Sequence, residues 1–460
     1  MSHAAFSTLA LQPELIANLT DLGFERMTPI QSEALPHILE GKDVIAQAKT
    51  GSGKTAAFGL AILEKLDTKN FSVQSLVLCP TRELAEQVAE EIRRLARPIA
   101  NVKVLTVCGG TPLRPQADSL KHGAHIVVGT PGRVVDHLEK QTLDLEGITT
   151  LVLDEADRML DMGFQPALDT IIEELPAQRQ NLLFSATYPP QIQSIAERVM
   201  KQPVLVKSID KHTNASIEQD FYKISDEGER DVAVRLLLLK HRPDSTVIFC
   251  NTKRHVKDLT QELKRHGFSV LALHGDLEQK ERDQALVRFA NNSVSIMVAT
   301  DVAARGLDID SLDLVINYHI ASDPEVHVHR IGRTGRAGNK GHACSIVINK
   351  ESHKLARLAD YLGQEINTQP LPDTKLLKEP TFRPPMSTIQ IDGGKKQKLR
   401  PGDILGALTA DYRIEGSDVG KIQVANSWAY VAVKSDLLET AVQLLNNGKM
   451  KGKKFRARKI

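Results

Sequence analysis

The sequence predicts an α/β protein: two tandem domains built on parallel sheets, followed by a small α+β domain. Three observations carry this. Short apolar runs alternate with helical stretches from residue 43 to residue 206, and the alternation starts again after residue 216. Five prolines then fall between Pro370 and Pro385, and a different order of elements follows them. The expected division is 1–208, 209–368, a linker over 369–386, and 387–460. A length of 460 residues suits roughly two to four domains.

In the first domain the strands read Val44–Ala46, Leu76–Cys79, Val102–Leu105, Ile126–Val128, Leu151–Leu153, Leu182–Phe184 and Val204–Val206. Helical stretches such as Arg82–Arg97 separate them. Polar residues 207–216 are expected to form a hinge. The second domain reads Val247–Cys250, Val270–Leu273, Ile296–Val298, Leu314–Ile316 and Ser345–Ile348. For the third, the pattern gives strand 388–391, helix 401–409, strands 419–424 and 428–433, helix 436–446 and strand 455–459. That order, βαββαβ, is the ferredoxin-like plan of RNA-recognition modules.

Hydrophobic content of 41% and charge of 25% describe an ordinary globular chain. No apolar run is long enough to span a bilayer, and Met1-Ser-His-Ala-Ala5 carries no signal-peptide pattern. Cys79, Cys108, Cys250 and Cys344 are far apart and lack metal-ligand spacing, as do the 15 histidines. Buried thiols in a reducing, cytoplasmic setting are expected. The net charge of +2 hides a split. Residues 380–460 hold 15 Lys and Arg against 7 Asp and Glu, and the remainder holds 44 against 50. A mildly acidic body with a basic tail points to nucleic acid at the tail.

Ala48-Lys-Thr50-Gly51-Ser52-Gly53-Lys54-Thr55 lies between an apolar strand and a helix, the context of a phosphate-binding loop. Glycines let backbone N–H groups converge on phosphates, Lys54 reaches the outer ones, and Thr55 can ligate Mg²⁺. Ala48 stands where the general pattern has glycine. A second half-site follows the strand Leu151–Leu153, in Asp154-Glu155-Ala156-Asp157. Asp154 at a strand's carboxyl end would hold Mg²⁺, in part through water, and Glu155 could orient and deprotonate a water. Acidic residues after an apolar run are commonly just a solvated helix start. Paired with a phosphate loop, they read as a nucleotide site.

Asp154-Glu-Ala-Asp157 is the tetrapeptide that names the DEAD-box ATP-dependent RNA helicases, and the chain resembles that family from about residue 6 to residue 350. The resemblance implies two RecA-like domains. It also implies adenine readout by Gln31, in Gly23-Phe24-Glu-Arg-Met-Thr28-Pro29-Ile30-Gln31, with Phe6 stacking. RNA-backbone contacts are implied at Thr81, Arg82, Gly110, Thr130 and Arg133, and in the second domain at Asn251, Gly275, Arg282 and Thr300. Asp301 would meet the ribose. Ser185, Thr187, Asp157 and His329 would couple the ATP and RNA sites. Arg333 and Arg336 match arginine fingers that stabilise charge on the γ-phosphate, a role worth roughly 10³–10⁵ in rate. Closure of the two domains on ATP and RNA would strain a duplex and release one strand, which is local unwinding. Gln31 and the acidic tetrapeptide argue against a duplex-DNA translocase.

The tail is similar to that of the DbpA subfamily, through Ile391-Asp-Gly-Gly-Lys395-Lys396 and Pro401-Gly-Asp-Ile-Leu-Gly-Ala-Leu-Thr409. That resemblance implies a hairpin of 23S ribosomal RNA, in large-subunit (50S) precursors, as target. Ser427-Trp428-Ala-Tyr430-Val-Ala-Val433 partly fits an RNA-module strand, with Trp428 and Tyr430 as stacking aromatics. Ser427 and Val433 depart from it, and Gln390 replaces a second aromatic. Basic contacts are expected from Lys395, Lys396, Lys398, Arg400, Lys451, Lys453 and Lys454. A monomer acting on RNA, with no DNA or membrane partner, is the expectation. The alternatives are a less selective helicase of mRNA decay or cold adaptation, and an ATP-gated RNA clamp.

Overall fold

The computed structural model describes residues 4–48, 51–188, 190–207, 217–304, 312–335 and 341–460. The expected hinge, 208–216, lies outside them. The first sheet comprises β1 (Val44–Gln47), β2 (Ser75–Leu78), β3 (Val104–Val107), β4 (Ile126–Gly129), β5 (Thr150–Asp154), β6 (Gln180–Ser185) and β7 (Val204–Lys207). Their order is β3-β4-β2-β5-β6-β1-β7, all parallel. The strands read as unbroken apolar runs because both faces are covered, each by its own core cluster.

The second sheet comprises β8 (Ile217–Ile224), β9 (Thr246–Cys250), β10 (Val270–Leu273), β11 (Ile296–Thr300), β12 (Leu314–Asn317), β13 (Gly341–Ile348) and β14 (Thr368–Gln369). Its order, β10-β11-β9-β12-β13-β8-β14, is the first order repeated seven strands later. The copy extends to detail. Thr81 after β2 caps the helix Arg82–Leu95, and Thr252 after β9 caps the helix Lys253–Arg265, each hydroxyl accepting from the N–H three residues on. Each helix buries one apolar stripe, Ala85/Val88/Ala89/Ile92 and Val256/Leu259/Leu263. Sequence periodicity missed β8, whose exposed and buried residues do not alternate cleanly.

The third sheet comprises β15 (Met386–Ile391), β16 (Val419–Val424), β17 (Ala429–Lys434) and β18 (Ala457–Lys459), in antiparallel order β16-β17-β15-β18. Helices Pro401–Thr409 and Leu438–Asn447 complete the expected βαββαβ order. One face of the sheet, with Ile389, Ile391, Val431 and Val433, packs on these helices.

The other face is also covered. The helix Gln279–Ala290 of the second domain, and the turn after it, lie against Thr388, Gln390 and Tyr430. Gln284 donates to Gln390 Oε1 at 3.1 Å, Asn291 donates to Thr388 Oγ1 at 3.2 Å, and the Ser293 and Thr388 hydroxyls meet at 2.5 Å. The backbone N–H of Met386 donates to Asn292. The proline-rich segment is a packed strap: Leu371, Leu376, Leu377 and Phe382 join the second domain's core, and Phe382 meets Phe268 edge-on. Domains 2 and 3 thus form one compact unit, and residues up to Asp210 form the other.

Thr388 is wholly buried, with its hydroxyl shared between Asn291 and Ser293. Thr388→Arg leaves an unpaired charge there and is expected to cost about 3 kcal/mol. Limited trypsin digestion should then cut faster within residues 369–386; an unchanged cutting rate contradicts the docked arrangement.

Candidate nucleotide and RNA site

Every crossover in a parallel sheet starts at a carboxyl end, so the loops after β1, β5 and β6 are neighbours. The phosphate loop follows β1. Gly51 and Gly53 have φ of +80° and +89°, and a Cβ on Gly53 would stand 2.5 Å from Gln31 Nε2. Glycine is therefore required at 53 by conformation and by space. Lys54 is buried, and its ammonium folds back to donate to Ala48 O at 3.0 Å. Ser52 and Thr55 are partly exposed. Thr50 lies outside the described residues.

Gln31 is buried beside the phosphate loop. Its amide is committed within the chain: Oε1 accepts from Thr28 N at 2.8 Å and Nε2 donates to Gly53 O at 3.0 Å. The Thr28 hydroxyl donates to Ser52 O at 2.7 Å. Here Gln31 braces the phosphate loop, and its second Oε1 lone pair and second Nε2 hydrogen are left for a further partner. Phe6 departs from its expected role. It is buried in the first core cluster and meets Phe24 edge-on at 6.4 Å, so its ring is not offered for stacking. Phe24 is the more exposed of the two rings.

At the end of β5 the acidic residues divide by partner. Glu155 is in the left-handed region, φ +52°, and pairs with Arg158 at 2.7 Å in a buried salt bridge. Asp157 accepts from the Thr187 N–H at 3.0 Å and hydroxyl at 2.9 Å, and its own N–H donates to Ser185 Oγ. Burial works to raise its carboxyl, but the Thr187 bonds prevail and hold it below the usual range. This joins the loops of β5 and β6.

Asp154 is 2% exposed, and its Oδ1 has no hydrogen-bond partner. Burial raises its carboxyl to about 6, with the nearby Lys54 charge opposing. A buried carboxylate oxygen without a donor beside a phosphate loop fits a divalent cation, directly or through water.

The loops after β2, β4 and β3 occupy the other half of the same edge. They place Thr81, Arg82, Thr130 and Gly110 (φ +76°) side by side in sheet order. Arg82 Nη1 is buried and unbonded. Arg133 is not free to reach outward: it donates to Thr111 O at 2.9 Å and Gln116 Oε1 at 3.2 Å, and pairs with Asp136. It shapes this loop cluster.

In the second unit, Asn251, Gly275, Thr300 and Asp301 stand at the carboxyl ends of β9, β10 and β11, which are adjacent. Asn251 and Gly275 are exposed. Arg282 donates to Ala303 O at 2.9 Å. The residue that organises this edge is Arg330, to which the sequence assigned no role. It is 2% exposed, grips both Asp301 oxygens at 2.6 and 2.7 Å, and donates to Asn251 Oδ1 and His319 O. The signal for it was Asp301, an acid at a strand end that needs a counter-charge. Arg333 is buried three residues on, and His329 is partly exposed. Arg336 lies outside the described residues. Lys253 and Lys257, also unforeseen, neutralise Asp276 beside Gly275.

In the third domain, Tyr430 is 3% exposed under the helix Gln279–Ala290, so it is closed to base stacking. Trp428, near the β16–β17 turn, is partly exposed. Lys395, Lys396, Lys398 and Arg400 are exposed, as are Lys451, Lys453 and Lys454. Gly393 and Gly394 draw the two groups together. A Cβ on Gly393 would meet Phe455 at 2.3 Å, and one on Gly394 would meet Ala425 O at 2.2 Å. Lys395 N and Lys396 N donate to Ala425 O and Asn426 O of the β16–β17 turn. Lys451 stands 3.8 Å from Asp403.

Sequence and structure comparisons agree with this geometry. The DEAD/DEAH box helicase profile matches residues 28–195, the helicase conserved C-terminal domain matches 228–338, and the DbpA RNA binding domain matches 388–459. The chain is 53% identical over 455 residues to the ATP-dependent RNA helicase DbpA of Escherichia coli K12, covering 99% of each chain. It is 46% identical over 351 residues to the DEAD-box ATP-dependent RNA helicase CshA of Geobacillus kaustophilus, covering 76% of this chain and 75% of that one. Among solved structures, Saccharomyces cerevisiae Dbp5 bound to RNA and ADP BeF3 superposes with a TM-score of 0.72 at 32% identity, over 81% of this chain and 98% of that one. The chain belongs to the DEAD-box ATP-dependent RNA helicases: it is an ATP-hydrolysing, RNA-binding enzyme. The full-length match and the third domain place it in the DbpA subfamily. Among the described residues no helix is long and apolar enough to cross a membrane.

Asp154 yields a pH prediction. Its folded carboxyl, about 6, lies above its ordinary 3.8. A carboxyl raised by folding favours the native state while protonated, and that contribution is lost as pH climbs through this window. Asp154→Asn should therefore raise the nucleotide-free Tm at pH 7, by on the order of 2 kcal/mol of stability, and abolish ATP turnover. The gain should vanish below pH 4; a pH-independent gain would show that charge burial is not its source.

Proposed function

We propose that the protein is an RNA-stimulated ATPase that locally unwinds 23S ribosomal RNA during assembly of the large ribosomal subunit. In this reading residues 1–208 bind nucleotide, 209–368 complete the catalytic set, 369–386 strap the third domain in place, and 387–460 select the RNA. Lys54 contacts the outer phosphates. Thr55 and Asp154 hold Mg²⁺, partly through water, and the ion neutralises phosphate charge. Glu155, oriented by Arg158, positions and deprotonates the attacking water. Arg333 and Arg336 stabilise charge developing on the γ-phosphate. Lys54 and Glu155 belong to one unit and Arg333 to the other, so turnover needs both. Ser185, Thr187, Asp157 and His329 relay RNA occupancy to the nucleotide. The backbone-facing loops, with Thr81, Arg82, Gly110, Thr130, Asn251, Gly275, Arg282 and Thr300, hold RNA without reading its sequence.

The observation that carries the RNA target is the exposed basic loop Lys395–Arg400 beside Lys453 and Lys454, in a domain that matches the DbpA RNA binding domain. A monomer acting in the cytoplasm suits this reading.

Lys54→Ala and Glu155→Gln should both abolish ATP turnover and differ in binding. Lys54→Ala should weaken ATP affinity. Glu155→Gln should keep ATP and accumulate an RNA-bound complex, measurable by fluorescent-nucleotide titration. Equal loss of ATP affinity in both refutes the roles.

Reversing the loop charge with Lys395→Glu, Lys396→Glu and Lys398→Glu together should weaken binding to a 23S hairpin fragment by at least about 10-fold and flatten its salt dependence. Stimulation by an unrelated hairpin should change little. A variant that still prefers the ribosomal fragment removes the loop as selector.

A further inference from the structure

Three ligand-type side chains meet in the second domain, away from the helicase motifs. Asp220 is on β8, Cys344 is on β13, and His241 is the last residue of the helix Arg230–His241. The parallel register sets Cys344 directly opposite Asp220 and His342 opposite Glu218, so all four point to one sheet face. Their helix runs back from β8, which brings His241 over that face. One ligand atom from each of Asp220, His241 and Cys344 lies within 4.8 Å of the others, and His241 Nε2 is 3.7 Å from Cys344 Sγ. The His342 ring stands 5.4 Å from the His241 ring, and its Nδ1 lies 3.6 Å from Glu218 Oε2.

We propose that Asp220, His241 and Cys344, with His342 or water as fourth ligand, form a structural site for a zinc-type divalent cation. One thiolate, imidazole and carboxylate are the donor set that Zn²⁺ accepts in tetrahedral geometry, and Mg²⁺ and Ca²⁺ prefer oxygen alone. The ligands need only a small contraction to reach bonding distance. An outer layer that would orient them is present: Gln369 donates to Asp220 Oδ1 at 2.8 Å, and the Tyr222 hydroxyl, itself accepting from Lys240, lies 3.4 Å from Oδ2. Burial, with Lys240 and His342 nearby, keeps His241 in the neutral form that ligation requires. Burial pushes the Cys344 thiol up to about 12, so the ion must displace its proton, as Zn²⁺ does.

The site is structural by position. The helix returns toward the amino ends of the strands, while Asn251, Thr300 and Asp301 follow their carboxyl ends. An ion here would tie β8 to β13 and to the end of the helix. Through Gln369 it would also fix the start of the strap that leads to the third domain. Neither the spacing of the cysteines nor that of the histidines announces it, because the ligands are up to 124 residues apart in sequence.

The test is a Co²⁺ titration of full-length, chelator-treated protein without nucleotide, read by absorption. Cobalt at the phosphate loop gives no sulfur charge-transfer band, so the readout is separate from the ATP site. The expected result is a thiolate-to-cobalt band saturating at one equivalent, bleached by Zn²⁺, absent in Cys344→Ala, and at least 10-fold weaker in affinity in Asp220→Asn. Zn²⁺ should also raise the Tm of wild type more than that of Cys344→Ala. The proposal is overturned if wild type gives no thiolate band, or if the band survives in Cys344→Ala. Either outcome leaves a thiol–imidazole hydrogen bond only. Asp220→Asn, which keeps the buried thiol, decides the question if Cys344→Ala does not fold.

Discussion

A parallel strand reaches its neighbour only by a crossover that leaves from its carboxyl end. Everything chemical in this protein follows from that constraint. Seven parallel strands in the order β3-β4-β2-β5-β6-β1-β7 deliver six described loops, those after β1 to β6, to one edge. The order sorts them: β5, β6 and β1 bring the acidic tetrapeptide, the Ser185–Thr187 turn and the phosphate loop together, while β3, β4 and β2 gather the loops suited to a phosphodiester backbone. The second sheet repeats the order, so Asn251, Gly275 and Thr300 arrive where Thr81, Gly110 and Thr130 stand in the first. One topological rule, used twice, gives each unit a matching set of loops at one edge.

Such an edge concentrates charge in poorly solvated places, and nearly all of it is paired. Asp157 is held by Thr187, Glu155 by Arg158, and Asp301 by the Arg330 fork. Each pairing fixes a loop as well as a charge, since a buried carboxylate with a missing partner costs several kcal/mol. Asp154 departs from the pattern, with a buried oxygen that no donor meets. An unpaired buried carboxylate costs stability, and such groups cluster where a fold serves chemistry over stability.

Strand positions, the repeat of the α/β pattern and the βαββαβ tail were legible because apolar runs and glycine-proline punctuation report local structure directly. The glycine-rich loop and Asp154–Asp157 were legible because their spacing encodes geometry. Partner choice was not. Nothing in the spacing of Gln31 says that its amide closes on Gly53, nor in that of Arg330 that it reaches Asp301 across 29 residues. Phe6 matched an aromatic position yet lies in the core, because an apolar ring at a helix entry gains more from burial than from waiting for a base. β8 was missed because one of its faces meets the polar Asp220 environment, which breaks the apolar run.

The third domain shows the same limit most clearly. Its βαββαβ order invites a stacking face on the open side of the sheet, and by sequence Trp428 and Tyr430 are the aromatics placed for it. The face is instead spent on the helix Gln279–Ala290, whose Gln284 meets Gln390 at the position where a second aromatic would stand. Gln390, a departure from an RNA-module strand, and its neighbour Thr388 are therefore the residues that make docking possible: amide and hydroxyl groups satisfy one another across a polar interface that aromatic rings could not complete. Once the sheet is covered, charge has to be displayed elsewhere. It appears on the loop after β15 and the segment before β18, held side by side because Gly393 admits Phe455 and Gly394 admits the β16–β17 turn. The first turn of the same helix carries Arg282, anchored to Ala303 next to Thr300 and Asp301. A single helix thus links the third domain to the edge of the second sheet, so the basic loops stand at a fixed offset from that edge and not at the end of a loose tether.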